Sequence, residues 1–75
     1  MVELDELIIK GKQFLDDGEF EKALSYFEQA IILSQMDPDL WNLKGVTLRS
    51  MGRYDEALEC FNKSLEIAPR DKKAS

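Results

Sequence analysis

Histidine is absent from the 75 residues, and cysteine occurs once, as Cys60. A lone thiol closes no internal disulfide, and without imidazole it builds no structural zinc site. The commonest general base is missing as well, which argues against triad-type hydrolysis. No hydrophobic run approaches the roughly eighteen residues of a membrane span. The opening stretch Met1-Val2-Glu3-Leu4-Asp5-Glu6 is acidic where a signal or transit peptide would be basic. The expectation is a cytoplasmic chain, not associated with membrane, that needs no metal or cofactor; an unpaired cysteine agrees with a reducing compartment.

Basic residues are also scarce, ten against fifteen acids, for a net charge of −5. Phosphate backbones are held by clustered Lys and Arg, so nucleic acid is not the expected partner. The charge is uneven: residues 1–37 carry three lysines against nine acids, and residues 38–75 carry seven bases against six acids. The first half is therefore acidic and the second near neutral. A chain this short forms a single domain whose core supplies only a few kcal/mol, so it needs a staple or a partner.

What is present is a repeat. Shifted by 34 residues, the sequence returns on itself: Leu7 falls on Trp41, Gly11 on Gly45, Phe14 on Leu48, Gly18 on Gly52 and Phe20 on Tyr54. Further on, Ala23 falls on Ala57, Leu24 on Leu58, Phe27 on Phe61, Ala30 on Ser64 and Ile31 on Leu65. Such a period marks a repeat architecture in which each unit is one supersecondary element. The first copy spans 4–37, the second 38–71, and a polar tail occupies 72–75.

Each copy reads as two helices. Leu4, Leu7, Ile8, Gly11, Phe14 and Leu15 recur at i, i+3, i+4 and i+7, one helical face. Asp16-Asp17-Gly18 stops that helix, because glycine accepts the positive φ of a helix C-terminus. A second stripe follows at Phe20, Ala23, Leu24, Phe27, Ala30 and Ile31, with Glu21 in its first turn where a negative charge suits the helix dipole. This second helix is expected to run on toward Met36, since Gln35 stands where the second copy has Pro69. Asp37-Pro38 opens the next hairpin, the aspartate as cap and the proline at the first helical position. The third helix is expected from Asp39 to Met51, ending at Gly52. The fourth carries Tyr54, Ala57, Leu58, Phe61, Ser64 and Leu65, with Asp55 and Glu56 at its start, and Pro69 ends it. Gly11 and Ala23 let the paired helices approach, Phe27 fills the space one turn on, and Gly45, Ala57 and Phe61 repeat the device. The short turns make the helices antiparallel neighbours.

A 34-residue helix–turn–helix with Trp41, Gly45, Gly52, Tyr54, Ala57, Phe61 and Pro69 at these spacings resembles the tetratricopeptide repeat family. The first copy matches through Gly11, Phe14, Gly18, Phe20, Ala23, Phe27 and Ala30. Lys10 and Lys44 depart from the pattern, which has leucine before the glycine; they are expected to snorkel from the hairpin interface. The resemblance implies an all-α fold of two stacked hairpins, a short right-handed α-solenoid. It also implies a scaffold for protein–protein contacts, in which the first helices of the repeats line a concave groove for an extended peptide or partner helix.

On that reading the groove is lined by Ile8, Lys12 and Leu15, with Asp5, from the first helix and by Asn42, Val46 and Arg49, with Asp39, from the third. Spacings of three or four put each set on one face. Ile8 and Val46 suit an apolar side chain, Asn42 a peptide backbone, and Lys12 and Arg49 a carboxylate. Some family members clamp the C-terminal carboxylate of heat-shock chaperones with a Lys and an Asn in one first helix, an Asn in the next and further bases in a third repeat. The matching positions here are Ile8, Lys12 and Leu43, so that clamp is not expected.

No further chemistry stands out. The acids of Glu3-Asp5-Glu6, Asp16-Asp17 and Asp55-Glu56 fall at helix starts and turns and read as solvated. The four glycines are spaced for hairpins, not for a phosphate loop. Cys60 lies among Glu56 and Glu59, the opposite of the basic setting that activates a thiol. Trp41 reads as core or inter-repeat packing. Because repeat units bury their faces on one another, two units leave the outer face of the last hairpin uncovered. Phe61 and Leu65, with Cys60 beside them, are expected there. The face would be covered in a longer array or by self-association as a homo-oligomer, which the charge asymmetry would weakly steer head to tail until salt screened it.

Overall fold

The computed structural model describes residues 3–68. They form four α-helices, α1 (Glu3–Asp16), α2 (Phe20–Leu33), α3 (Pro38–Ser50) and α4 (Tyr54–Ile67). No strand occurs among the described residues. Neighbouring helices in the sequence are neighbours in space: α1 packs on α2, α2 on α3 and α3 on α4. The chain is thus all-α, two helical hairpins side by side.

The two hairpins turn in the same way. Glu19 N–H donates to the Phe14 carbonyl at 2.8 Å and Gly18 N–H to Leu15 at 3.1 Å, the paired bonds of a Schellman cap. Arg53 and Gly52 repeat them onto Leu48 and Arg49 at 2.9 and 3.0 Å. Both glycines sit at φ 82°, where a Cβ is strained. The acidic first turns expected for α2 and α4 are present at Glu21 and at Asp55 and Glu56.

Close approach within each hairpin rests on the notches read from the sequence. A Cβ placed on Gly11 would lie 2.5 Å from the Phe27 ring, and one on Gly45 would lie 2.6 Å from the Phe61 ring. Both distances are below any normal contact, so each glycine is the seat of an aromatic ring. Phe27 and Ala23 are fully buried. In the first hairpin Phe14 also stacks on Tyr26, centroids 5.4 Å apart.

Between the hairpins lie two apolar clusters. Leu24 of α2 meets Leu48, Ala57 and Cys60, with Trp41, Met51 and Phe61 packed around them. Ala30 and Ile31 meet Leu40, with Leu4, Leu7 and Ile8 of α1 and Trp41 and Leu43 of α3 alongside. The buried Thr47 hydroxyl donates to the Leu43 carbonyl at 2.8 Å, so no orphaned polar group enters this seam.

Three expectations change. First, α2 stops at Leu33 and does not continue toward Met36: Ser34 leaves helical geometry at φ −146°, ψ 77°, and Asp37 caps the next helix by accepting from Asp39 N–H at 3.0 Å. Second, α3 begins at Pro38, the first helical position as expected, but ends at Ser50 with Met51 as its cap. Third, Cys60 does not lie on an uncovered face. It is buried against Leu24, which reaches across from the first hairpin. Pro69, expected to end α4, lies outside the described residues.

Candidate functional site

The proposed groove residues divide by burial. On α1, Ile8 is half-buried because it packs on the Ala30–Ile31–Leu40 cluster, and only part of it faces outward. Leu15 is half-buried, and Asp5 and Lys12 are exposed. On α3, Asn42 and Val46 are half-buried, and Asp39 and Arg49 are exposed. The Arg49 guanidinium lies over the Phe61 ring, 5.9 Å from its centroid. Among the described residues neither Lys12 nor Arg49 is in an ion pair, so both cations are available to an anion. Leu4, Leu7 and Ile8 of α1 and Leu43 of α3 all pack against the one cluster of Ala30, Ile31 and Leu40.

A concavity lies on a different face of α3. Trp41, Lys44 and Leu48 stand roughly 80° or more around the helix from Asn42, Val46 and Arg49, and they floor a cleft of about 410 Å³ that also takes in Glu28 of α2 and Lys63 of α4. Trp41 is held by its indole N–H, which donates to the Gln35 carbonyl at 2.9 Å. Lys44 and Lys63 lie over its ring at 5.6 and 5.9 Å. Lys44 also pairs with Glu28 at 3.6 Å, tying α2 to α3. Lys44 thus lays its stem along the seam, as expected, whereas Lys10 is exposed.

Sequence reasoning did not find this cleft. The Trp41–Lys44 spacing of three was its only local trace, since Glu28 and Lys63 arrive from other helices. Its charged rim is balanced, Lys44, Arg53 and Lys63 against Glu28, Glu56 and Glu59, so it offers neither an anion nor a cation trap. Arg53 pairs with Glu56; their hydrogen bond holds the Glu56 carboxyl below, and the Arg53 guanidinium above, its ordinary range. The Cys60 thiol borders the same cleft, and burial pushes its pKa up, which keeps it protonated and unreactive near neutral pH. No group of three or more potential metal ligands occurs among the described residues, and no helix among them is long and apolar enough to cross a membrane.

A family model described as the tetratricopeptide repeat matches residues 38–71. An uncharacterised protein of Methanocaldococcus jannaschii is 45% identical over 58 residues, covering 77% of this chain and 67% of that protein. The Hsp70-Hsp90 organizing protein of Triticum aestivum is 34% identical over 65 residues, 87% of this chain. This chain belongs to the tetratricopeptide repeat family. The peroxisomal targeting signal receptor of Saccharomyces cerevisiae is 29% identical over 59 residues, 79% of this chain. The chain spans only 11% of the wheat protein and 10% of the yeast receptor. Tetratricopeptide membership supports a protein-interaction scaffold role, and the stretch that matches holds the Trp41, Gly45 and Phe61 whose packing builds the second hairpin.

Proposed function

We propose that this tetratricopeptide chain is a non-catalytic binding module that holds an extended peptide segment or a helix of a partner protein along the inner faces of α1 and α3. The observation that carries the reading is the pairing of exposed Lys12 and Arg49, in no ion pair among the described residues, with half-buried Ile8, Leu15, Asn42 and Val46 on the first helices of the two hairpins. Such a strip offers shallow apolar contact, one amide for a peptide backbone, and two cations for acidic side chains. The names of the relatives, a receptor for a targeting signal and an organizer of two heat-shock proteins, support a protein ligand. Acidic segments with alternating apolar residues suit the strip best. Chaperone C-terminal tails do not, because Ile8 and Leu43 stand at clamp positions and both pack on the seam cluster.

Selection from a random peptide library on the folded chain tests this. The expected winners are acidic peptides of about micromolar Kd that lose at least tenfold in affinity to the Asn42→Ala/Arg49→Ala variant at unchanged helicity. Winners that bind that variant equally well would sink the assignment, as would a chaperone-tail peptide binding at micromolar concentration.

A further inference from the structure

At the seam the first hairpin offers an apolar ridge and the second a socket. Leu24 of α2 enters among Leu48, Ala57 and Cys60, and Ala30 and Ile31 lie against Leu40. Leu40 and Thr47 are buried on α3, and Leu43 and Met51 are half-buried beside them. The 34-residue period puts the same positions on the far side of the first hairpin, where a preceding hairpin would dock. There Phe14, Ala23 and Tyr26 stand for the socket residues Leu48, Ala57 and Cys60, and Glu6, Gln13 and Asp17 stand for Leu40, Thr47 and Met51.

We infer that this side of the molecule is a sealed end: the Phe14–Tyr26 pair, with Lys22 across it, fills the socket from within, and no further hairpin docks on α1. The seal uses α1 residues other than those of the proposed peptide groove, which need not exist for this end to be closed.

The filling is direct. The Phe14 and Tyr26 rings stack with centroids 5.4 Å apart and planes at 21°, and Lys22 Nζ lies 5.5 Å from the Phe14 centroid. A tyrosine ring in place of the Cys60 thiol takes up room that Leu24 occupies at the seam. All three residues belong to the first hairpin, so the cover needs no neighbour.

The rim around this socket is polar. Glu6, Gln13 and Asp17 are all exposed, where their counterparts on α3 are buried or half-buried. An apolar ridge laid on them would strip water from two carboxylates, a cost unless each carboxylate finds a new partner. Leu7, the counterpart of Trp41, packs inward on the Ala30–Ile31–Leu40 cluster. Ile9, the counterpart of Leu43, is left 54% exposed at this edge, and a lone exposed aliphatic is ordinary on a protein surface.

A three-hairpin chain tests the proposal. Residues 4–37 are duplicated in tandem, so that the α2 ridge of the added hairpin meets the α1 side of the original through the natural linker at 34–37. Stacked hairpins stabilise one another only through their interface. The added hairpin should therefore leave the thermal midpoint within ~2 °C of the parent chain's and lower the mean helicity per residue. Giving the original first hairpin the residues of the second, E6L/Q13T/F14L/D17M/Y26C, should open the socket. That three-hairpin chain should melt in one transition at least ~5 °C above the 75-residue chain carrying the same five substitutions. An unsubstituted three-hairpin chain that melts as one unit above its parent would overturn the proposal. So would a substituted one that gains nothing over its own parent.

Discussion

The first hairpin is enclosed by the second, and the second is enclosed by nothing described, although the two are built on one pattern. The same notch, the same Schellman turn and the same aromatic ring appear 34 residues apart. What differs is the neighbour. The inner hairpin invests in aliphatic and aromatic contact, with Ala30 and Ile31 under Leu40 and Phe14 stacked on Tyr26. The outer one replaces Ala30 with Ser64, whose hydroxyl donates to the Pro38 carbonyl at 3.0 Å, and replaces Tyr26 with Cys60. A hydrogen bond thus ties the end of α4 to the start of α3 where no equivalent bond is possible in the first hairpin. In a tandem array, burial is a property of position in the stack as much as of the residue.

The sharpest way to break this comparison is to remove the ring from each notch at concentrations where the chain is monomeric. Phe27→Ala should cost about 3–5 kcal/mol, which is all the stability a domain of this size holds. The variant should be unfolded by circular dichroism. Phe61→Ala should cost about half as much, because one side of that ring already faces water. Equal losses would show that the outer face is covered even in the monomer. Next in size, Leu24→Ala should cost about 2–5 kcal/mol, and Leu58→Ala should stay within about 0.5 kcal/mol, both read by urea unfolding.

The notches themselves give a smaller contrast. Gly11→Ala forces a Cβ into a ring with nowhere to move, an overpacking cost of about 1–3 kcal/mol offset by about 1 kcal/mol of helix propensity. Gly45→Ala meets a ring that can swing outward, so its net effect should be close to zero. Thermal melts of the pair decide it. By contrast Gly18→Ala and Gly52→Ala should be equal, each losing about 1–2 kcal/mol, since both sit at φ 82° with no atom near the added Cβ. A difference between them would mean the two turns are less alike than their hydrogen bonds.

The smallest effect is a pH dependence. Burial raises the native pKa of Cys60 above that of the free thiol, so the folded state holds its proton longer than the unfolded state does. Stability should be complete below the free-thiol range near ~8.5 and should fall as pH rises through it toward the raised native value. Denaturant titrations of the wild type and Cys60→Ser at pH 7 and pH 9.5 check the sign: the decline should be smaller in the variant. Thiol alkylation should likewise be slow in the folded chain.

Most of the fold was legible because it is local. Helical periodicity, two glycine stops and the Asp37-Pro38 start require only neighbours in sequence, and Gly11 against Phe27 follows from the hairpin once its turn is known. A packed thiol at Cys60 was legible from its acidic surroundings, but its cover was not, because it depends on Leu24 reaching over from the other hairpin. The end of α2 at Leu33 was missed because Ser34 and the Asp37 cap stop it where no proline marks a stop. At the proposed groove, helical spacing put six residues on two faces, but it could not say that Ile8 is partly consumed by the seam. The cleft beneath Lys63 depends on how α4 crosses α3, a quantity no single-helix pattern contains.

One side chain makes the joint between the hairpins directly observable. Trp41 is the only tryptophan, and it touches both seam clusters while its indole is fastened to the Gln35 carbonyl at the linker. Its emission therefore reports separation of the two units, whereas the far-ultraviolet signal reports the helices within them. A red shift that precedes loss of ellipticity on titration with denaturant would mean that the hairpins come apart before they unwind.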